Sequence, residues 1–397
     1  AVGSGSMGIG TVTGRDNIAV GSFALEDITA GSNNIAIGSG SAASITTNIG
    51  NVAIGFETLK ASADDADFNV VIGYKAVNTG DLSGDDNIVV GASSAANMTS
   101  GYDNVFIGKG AAQSGVVTGY RNVAIGRFAG ADLTAGQTNV LIGDNAGFNI
   151  TAHANNIAIG THALYTSNAT NAAIARNISI GHYSMKEGLV SGHDNTGLGA
   201  RTLLNLTSGT DNIAVGPSAG ENITTGDSNI AIGSGSISDG TVTGVGNIAI
   251  GQEALTDLTS GRYNIAIGSG SLKGGKTGEF AIAIGFNAMS GSVSDNTANI
   301  AIGESALRTG DITGHDNIGI GTKTLDNLTS GYNNIAIGSG SMMKGVVTGY
   351  RNVAIGVSTL EDATAASGSI AIGHMAARKH TTGNANIAIG SGSMGKG

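Results

Sequence analysis

Short apolar segments of the form Ile/Val, small residue, Ile/Val, Gly recur along the whole chain every 17 or 18 residues. The closing glycines fall at 21, 38, 55, 73, 91, 108, 126, 143, 160, 181, 199, 216, 233, 251, 268, 285, 303, 321, 338, 356, 373 and 390, with a truncated earlier copy ending at Gly3. A repeat this short cannot fold alone, so each copy reads as one coil of a stacked solenoid. Take the closing glycine as position zero. Residues −3 and −1 (Ile35 and Ile37, Val123 and Ile125) alternate onto one face of a short strand, and their β-branching suits it. That face is expected to be the core. The residue between them is usually Ala, with Gly197, Ser179, Leu141 and Phe106 as exceptions, and is expected to lie outside against a close neighbour.

The other columns are nearly as regular. Position −4 is Asn in 20 of 22 complete cores, Ala281 and Ser369 being the exceptions. Stacked one strand spacing apart, about 4.8 Å, these residues can form an amide ladder, represented by Asn17, Asn34, Asn51, Asn87, Asn122, Asn156, Asn212, Asn264, Asn334 and Asn352. Asn as a plain turn former is the alternative. Position +3 is Ser, Thr or Ala and position +4 is mostly apolar (Leu25, Leu59, Leu255, Leu325), which suggests a second short strand turning back to the core. Position −7 is Gly in 16 of 22 repeats, usually in Thr-Gly or Thr-Ser-Gly, and reads as a sharp turn needing positive φ.

The fold class expected is all-β, a parallel β-solenoid of about 22 coils with 17–18 residues each. Residues 1–397 form one continuous array, and the interval 161–180 is a longer coil with an inserted loop between Tyr165 and Arg176. Stacking at one strand spacing per coil gives a length of roughly 100 Å.

Composition narrows the function classes. Glycine numbers 67, proline occurs once (Pro217), and 40% of the 397 residues are hydrophobic on a strict period, so collagen and disorder are both excluded. A net charge of −10 without a basic run argues against nucleic acid and anionic membrane surfaces. No apolar run approaches the ~20 residues of a membrane span. Cysteine is absent, which removes disulfides and thiolate sites and suits an exported chain. Ala1 begins partway through a repeat and the chain stops just after a core, so both ends read as cuts through a longer array.

These columns resemble the head repeats of YadA-like trimeric autotransporter adhesins and the related repeats of phage tail fibres. The matching residues are the Asn-Ile-Ala-Ile-Gly cores at 34–38, 156–160, 229–233 and 334–338 and the small-then-apolar pair after each. Residues 250–268 and 320–338 carry the longer form typical of fibres. The resemblance implies a left-handed β-roll, a homotrimer, and an adhesive or structural rod on a bacterial cell surface or virion. Its partners would be further copies of the chain and a host glycan or matrix protein, with no cofactor, no metal and no enzymatic activity. The coil is a few residues longer than the usual head repeat, and no neck, stalk, anchor or fibre tip accompanies it.

Several constellations imitate chemistry. Gly270 to Thr277 fits the Walker A pattern, yet another strand is due by Ile284 where a phosphate loop needs a helix. Gly3 to Gly8 fits a dinucleotide fingerprint and fails on the same context. Ile-Gly-Ser-Gly-Ser-Met resembles one hexad of the acyltransferase β-helix, but glycine at −7 stands where a further apolar residue belongs. Its catalytic His has no counterpart, since the seven histidines read as solvated turn residues. Asp64, Asp65 and Asp67 do not match a calcium loop, and sequons at Asn97, Asn222 and Asn327 arise from the repeat itself. One Thr recurs per coil, fewer than the paired Thr of ice-binding solenoids. The candidate ligand surface is the turn carrying Tyr102, Tyr120, Tyr332 and Tyr350 at −6. Tyr120–Arg121 and Tyr350–Arg351 are its contact residues for a sugar or peptide. An exposed turn tolerant of polar residues is the plainer reading of the same residues.

Overall fold

A computed structural model describes residues 1–8, 11–62, 65–166, 175–291, 297–309 and 312–395. The chain is an all-β parallel β-solenoid with 22 three-residue strands, the first Ile18–Val20 and the last Ile387–Ile389, and no helix among the described residues. It divides into two compact units, Ala1–Ala200 and Arg201–Gly397, with eleven strands each. Within the first unit each strand pairs in parallel with the next at the same column, as in Ile18↔Ile35, Ala19↔Ala36 and Val20↔Ile37. Within the second, Ile248↔Ile265 and Ala249↔Ala266 repeat the same register. Along the strands column therefore stacks on column, and each strand side chain meets its counterpart one coil away.

The inside and outside of the strand are the reverse of the sequence expectation. The small middle residue faces the core: Ala36, Ala53, Ala124, Ala231 and Ala266 are fully buried. The flanking Ile and Val face outward. In the second unit Ile232, Ile250, Ile267, Ile302, Ile320, Ile337, Ile355 and Ile372 are each 36–38% exposed. The reason is volume. The opposite wall of the coil is filled by the large residues at +4, such as Leu25, Leu59, Leu255 and Leu325, all fully buried, which leaves room for little more than a methyl group opposite them.

Positions +3 and +4 do not form a second strand. They lie in a turn in which +2 and +4 adopt positive φ even when not glycine, as at Phe23 (59°) and Leu25 (51°). Such a conformation costs roughly 1 kcal/mol or more per residue. Hydrogen bonds between coils offset it. The amide of +2 donates backward, Phe23 N to Ser4 O at 2.9 Å, and that of +4 donates forward, Leu25 N to Ser41 O at 3.1 Å. A buried hydroxyl at +3 is satisfied in the same turn, as when Ser271 Oγ donates to Gly268 O at 2.8 Å.

The glycine at −7 has a different reason from the one its turn context suggested. Positive φ belongs instead to the closing glycines, at 111–144°. At −7 the constraint is close approach: a Cβ on Gly14 would lie 1.7 Å from Gly31 O, and one on Gly119 would lie 1.8 Å from Gly136 O. A further core column was not anticipated from the repeat. It comprises Ile28, Leu82, Met98, Val117, Leu133, Ile150, Leu206, Ile223, Val242, Leu258 and Leu328, all essentially buried. It stands at +7 in 17-residue coils and +9 in 18-residue coils. The bridges Ile223↔Val242 and Leu328↔Val347 show the two kinds of coil brought into register there.

Candidate functional surfaces

The asparagine column is an interior hydrogen-bonded ladder. Asn122 is fully buried. Its N–H and Nδ2 both donate to Asn104 Oδ1, at 2.9 and 3.1 Å, and Nδ2 also donates to Gly136 O at 2.8 Å. Its own Oδ1 accepts from Asn139 N at 3.1 Å and Asn139 Nδ2 at 3.0 Å. Every donor and acceptor of the amide is used, so the column can lie in the core without a desolvation penalty. The same pattern links Asn17 to Asn34 and Asn69 to Asn87, and Asn51 N donates to Asn34 Oδ1 at 3.0 Å. In the second unit it links Asn212 to Asn229, Asn247 to Asn264, and Asn334 to Asn352. Asn156 joins it from Asn139 at 3.0 Å. At Ala281 one rung lacks its side chain: Ala281 N still donates to Asn264 Oδ1 at 2.9 Å, but no amide is there to accept from the following coil.

The turn aromatics stack on one another from coil to coil. Tyr102 and Tyr120 are 4.8 Å apart at 9°, and Tyr332 and Tyr350 are 4.9 Å apart at 1°. His315 continues the second stack at 5.5 Å from Tyr332. Arg121 lies 5.5 Å from the Tyr120 ring centre and pairs with Asp103 at 3.4 Å, while Arg351 lies 5.8 Å from Tyr350. One face of each stacked ring is thus spent on its neighbour, while Tyr350 remains 39% exposed.

The recurring Thr works in the backbone. Thr134 Oγ1 donates to Thr151 O at 2.9 Å and Thr207 Oγ1 to Thr224 O at 3.0 Å, so these hydroxyls tie coil to coil. The sequon asparagines are engaged similarly. Asn327 Nδ2 donates to Met343 O at 2.9 Å, and Asn97 Nδ2 to Gln113 O at 3.1 Å. The Walker-like segment 270–277 is turn structure leading to the strand Ile282–Ile284, and Lys273 pairs with Glu253 at 2.5 Å. Asp64 and most of the Tyr165–Arg176 insert, 167–174, lie outside the described residues. Among the described residues no group of three or more His, Asp or Glu is placed to hold a metal ion, and no helix is long and apolar enough to cross a membrane.

Two histidines depart from the solvated-turn expectation. His153 occupies a −7 position and is only 2% exposed, and burial lowers its pKa by penalising the imidazolium. His162 is half-buried with its pKa lowered, first by burial and then by the Lys186 charge, and its Nδ1 is buried without a hydrogen bond. It packs 5.0 Å from Tyr165 and 5.4 Å from Tyr183, and Lys186 lies 4.2 Å from the Tyr183 ring. Phe148 extends the cluster at 5.2 Å from Tyr165. These rings fall in two columns, His162 and Tyr183 at +2 and Phe148 and Tyr165 at +5, whose residues vary from coil to coil, so the repeat pattern does not single the cluster out.

No protein-family model and no curated protein matches the chain.

Proposed function

We propose that the chain is a non-enzymatic structural segment, the shaft or head of a bacterial surface adhesin or phage tail fibre, that associates with two further copies of itself and acts outside the cell. The observation that carries this reading is the outward double column of Ile and Val. Soluble monomers rarely leave contiguous apolar patches of more than a few hundred Å² uncovered. Here one face of the second unit repeats an isoleucine, 36–38% exposed, on nearly every coil. A second copy offers the same column at the same coil spacing, so identical chains can bury these rows against one another along their length. The resemblance of the cores to YadA-like heads supports three copies and a surface or virion setting.

Sedimentation equilibrium of the chain tests the reading. A mass three times that of one chain is expected, falling to a single chain in an Ile250→Glu/Ile267→Glu variant whose β-sheet circular dichroism is retained. A single-chain mass for the unaltered protein at every concentration would remove the assembly from the proposal.

A further inference from the structure

In the first unit the coil Gly38-Ser39-Gly40-Ser41 lacks the outward side chain that most coils carry at +2. The gap is a cleft of about 300 Å³ lined by Phe23, Ser39, Gly40 and Phe56, with Glu26, Glu57 and Lys60 at its rim. Its size falls at the low end of small-molecule pockets, about 300–1,000 Å³. The Phe rings are 48% and 44% exposed, so both present apolar surface to the cleft. Each is already held in place from behind. Phe56 stacks on Tyr74 at 5.6 Å and 13°, leaving its other face toward the cleft. Phe23 leans over the glycine of the preceding coil, where a Cβ on Gly5 would come within 2.8 Å of its ring.

The rim is ordered as well. Glu57 pairs with Lys60 at 2.7 Å and with Lys75 at 3.4 Å, and the hydrogen bond from Lys60 heads the effects that hold its carboxyl below the usual range. Comparable Gly-Ser-Gly-Ser coils at 233–236, 268–271 and 338–341 have no aromatic residue on both sides: their +1 and +2 neighbours are Pro217, Ser218, Gln252 and Glu253; Gln252, Glu253, Phe286 and Asn287; and Thr322, Lys323, Val357 and Ser358. The cleft at Gly40 is therefore a property of particular residues and not of the repeat.

We infer that the cleft over Gly40 binds a single neutral pyranose ring. A sugar presents an apolar C–H face to a phenyl ring and a girdle of hydroxyls to polar groups. Two phenyl faces with two carboxylates, one ammonium and one serine hydroxyl match that division, whereas an aromatic peptide side chain would leave most of the rim without partners. With Lys75 on Glu57, two carboxylates face two ammonium groups, so the rim has no surplus cation to hold an anionic sugar. The site lies within one chain, on the turn and not on the Ile/Val face, so it does not depend on the trimer.

Saturation-transfer NMR of the full chain with the methyl glycosides of glucose, galactose, mannose and N-acetylglucosamine tests this. Transfer to the ring C–H protons of at least one is expected. It should weaken about tenfold in Phe56→Ala and vanish in Gly40→Phe, which fills the cleft with a residue that Phe23 and Phe128 show the +2 backbone accepts (φ 59° and 55°). Gly235→Phe, in a coil without phenyl walls, should leave it unchanged. No transfer from any of the four, or transfer that survives Gly40→Phe, would overturn the proposal. So would N-acetylphenylalaninamide displacing the sugar as the better probe, which would make the cleft a peptide site. If Gly40→Phe fails to fold, Phe23→Ala and Phe56→Ala carry the test, and undiminished transfer in both would overturn it.

Discussion

Leu141 occupies the space that a side chain on Gly147 would need: a Cβ on Gly147 would lie 2.6 Å from Leu141 Cδ2. The two positions, −2 and +4, face each other across the coil and draw on a shared volume, and Leu141 also reaches the preceding coil, where a Cβ on Gly130 would lie 2.8 Å from its Cδ1. The commonest division is Ala with Leu, as in Ala53 with Leu59 or Ala249 with Leu255. This coil divides it as Leu with Gly. The coil of Phe106, the largest side chain in the core, has only Ala at +4, Ala112, below another Ala at Ala95.

The exchange predicts a strong coupling. Leu141→Ala should cost about 2–5 kcal/mol by leaving a cavity. Gly147→Leu should cost about 1–3 kcal/mol by overpacking. The double variant restores the common arrangement, and Leu25 and Leu59 show that Leu accepts this positive φ. It should therefore be markedly more stable than the sum of the single losses, as read by urea melts in a double-mutant cycle. Additive losses would mean the two positions do not share volume.

The asparagine ladder predicts opposite effects at two sites. Asn122→Ala strands the buried amide of Asn139 and should cost about 1–3 kcal/mol for that donor. Ala281→Asn adds the absent rung below Asn299 and should stabilise by about 0.5–1.5 kcal/mol. Chemical denaturation of both variants checks this, and a destabilising Ala281→Asn would show that the coil at 281 cannot accept the amide.

His153 predicts an acid-sensitive term. Burial lowers its folded-state pKa below the unfolded value of about 6.5, so the neutral form is favoured in the fold. Its contribution is complete above the unfolded pKa and is lost as pH falls from there through the lowered value. Melting temperature should drop over that window, and less so in His153→Gly, which installs the residue found at −7 in most coils. An unchanged pH profile in the variant would remove His153 as the cause.

The columns, the period and the all-β solenoid were legible in the sequence because stacking in register forces every coil to repeat the same chemistry. The direction of the columns was not. Alternation states that Ile35 and Ile37 share a face and Ala36 takes the other, but not which face is inside. Volume decides that, and the partner volume at +4 only becomes visible once the coil is closed. The +7/+9 column was hidden for a related reason. Coils aligned on their glycines put Leu328 and Val347 out of step, whereas alignment on the Thr that follows each would have brought them together. The cleft at Gly40 and the cluster around His162 depend on which residues happen to flank one another in successive coils, and repeats averaged into columns conceal both.

Thiol labelling of single-cysteine variants tests the outward isoleucine face most directly, since the chain has no native cysteine to interfere. Ala266→Cys should stay unreactive until the protein unfolds. Ile267→Cys should be protected while copies are associated and become reactive on dilution, with Tyr263→Cys in the turn reactive throughout. If Ile267→Cys reacted as fast as Tyr263→Cys at every concentration, the face would be uncovered and the assembly would be contradicted. If Ala266→Cys reacted faster than Ile267→Cys, the inside and outside of the strand would themselves be wrong.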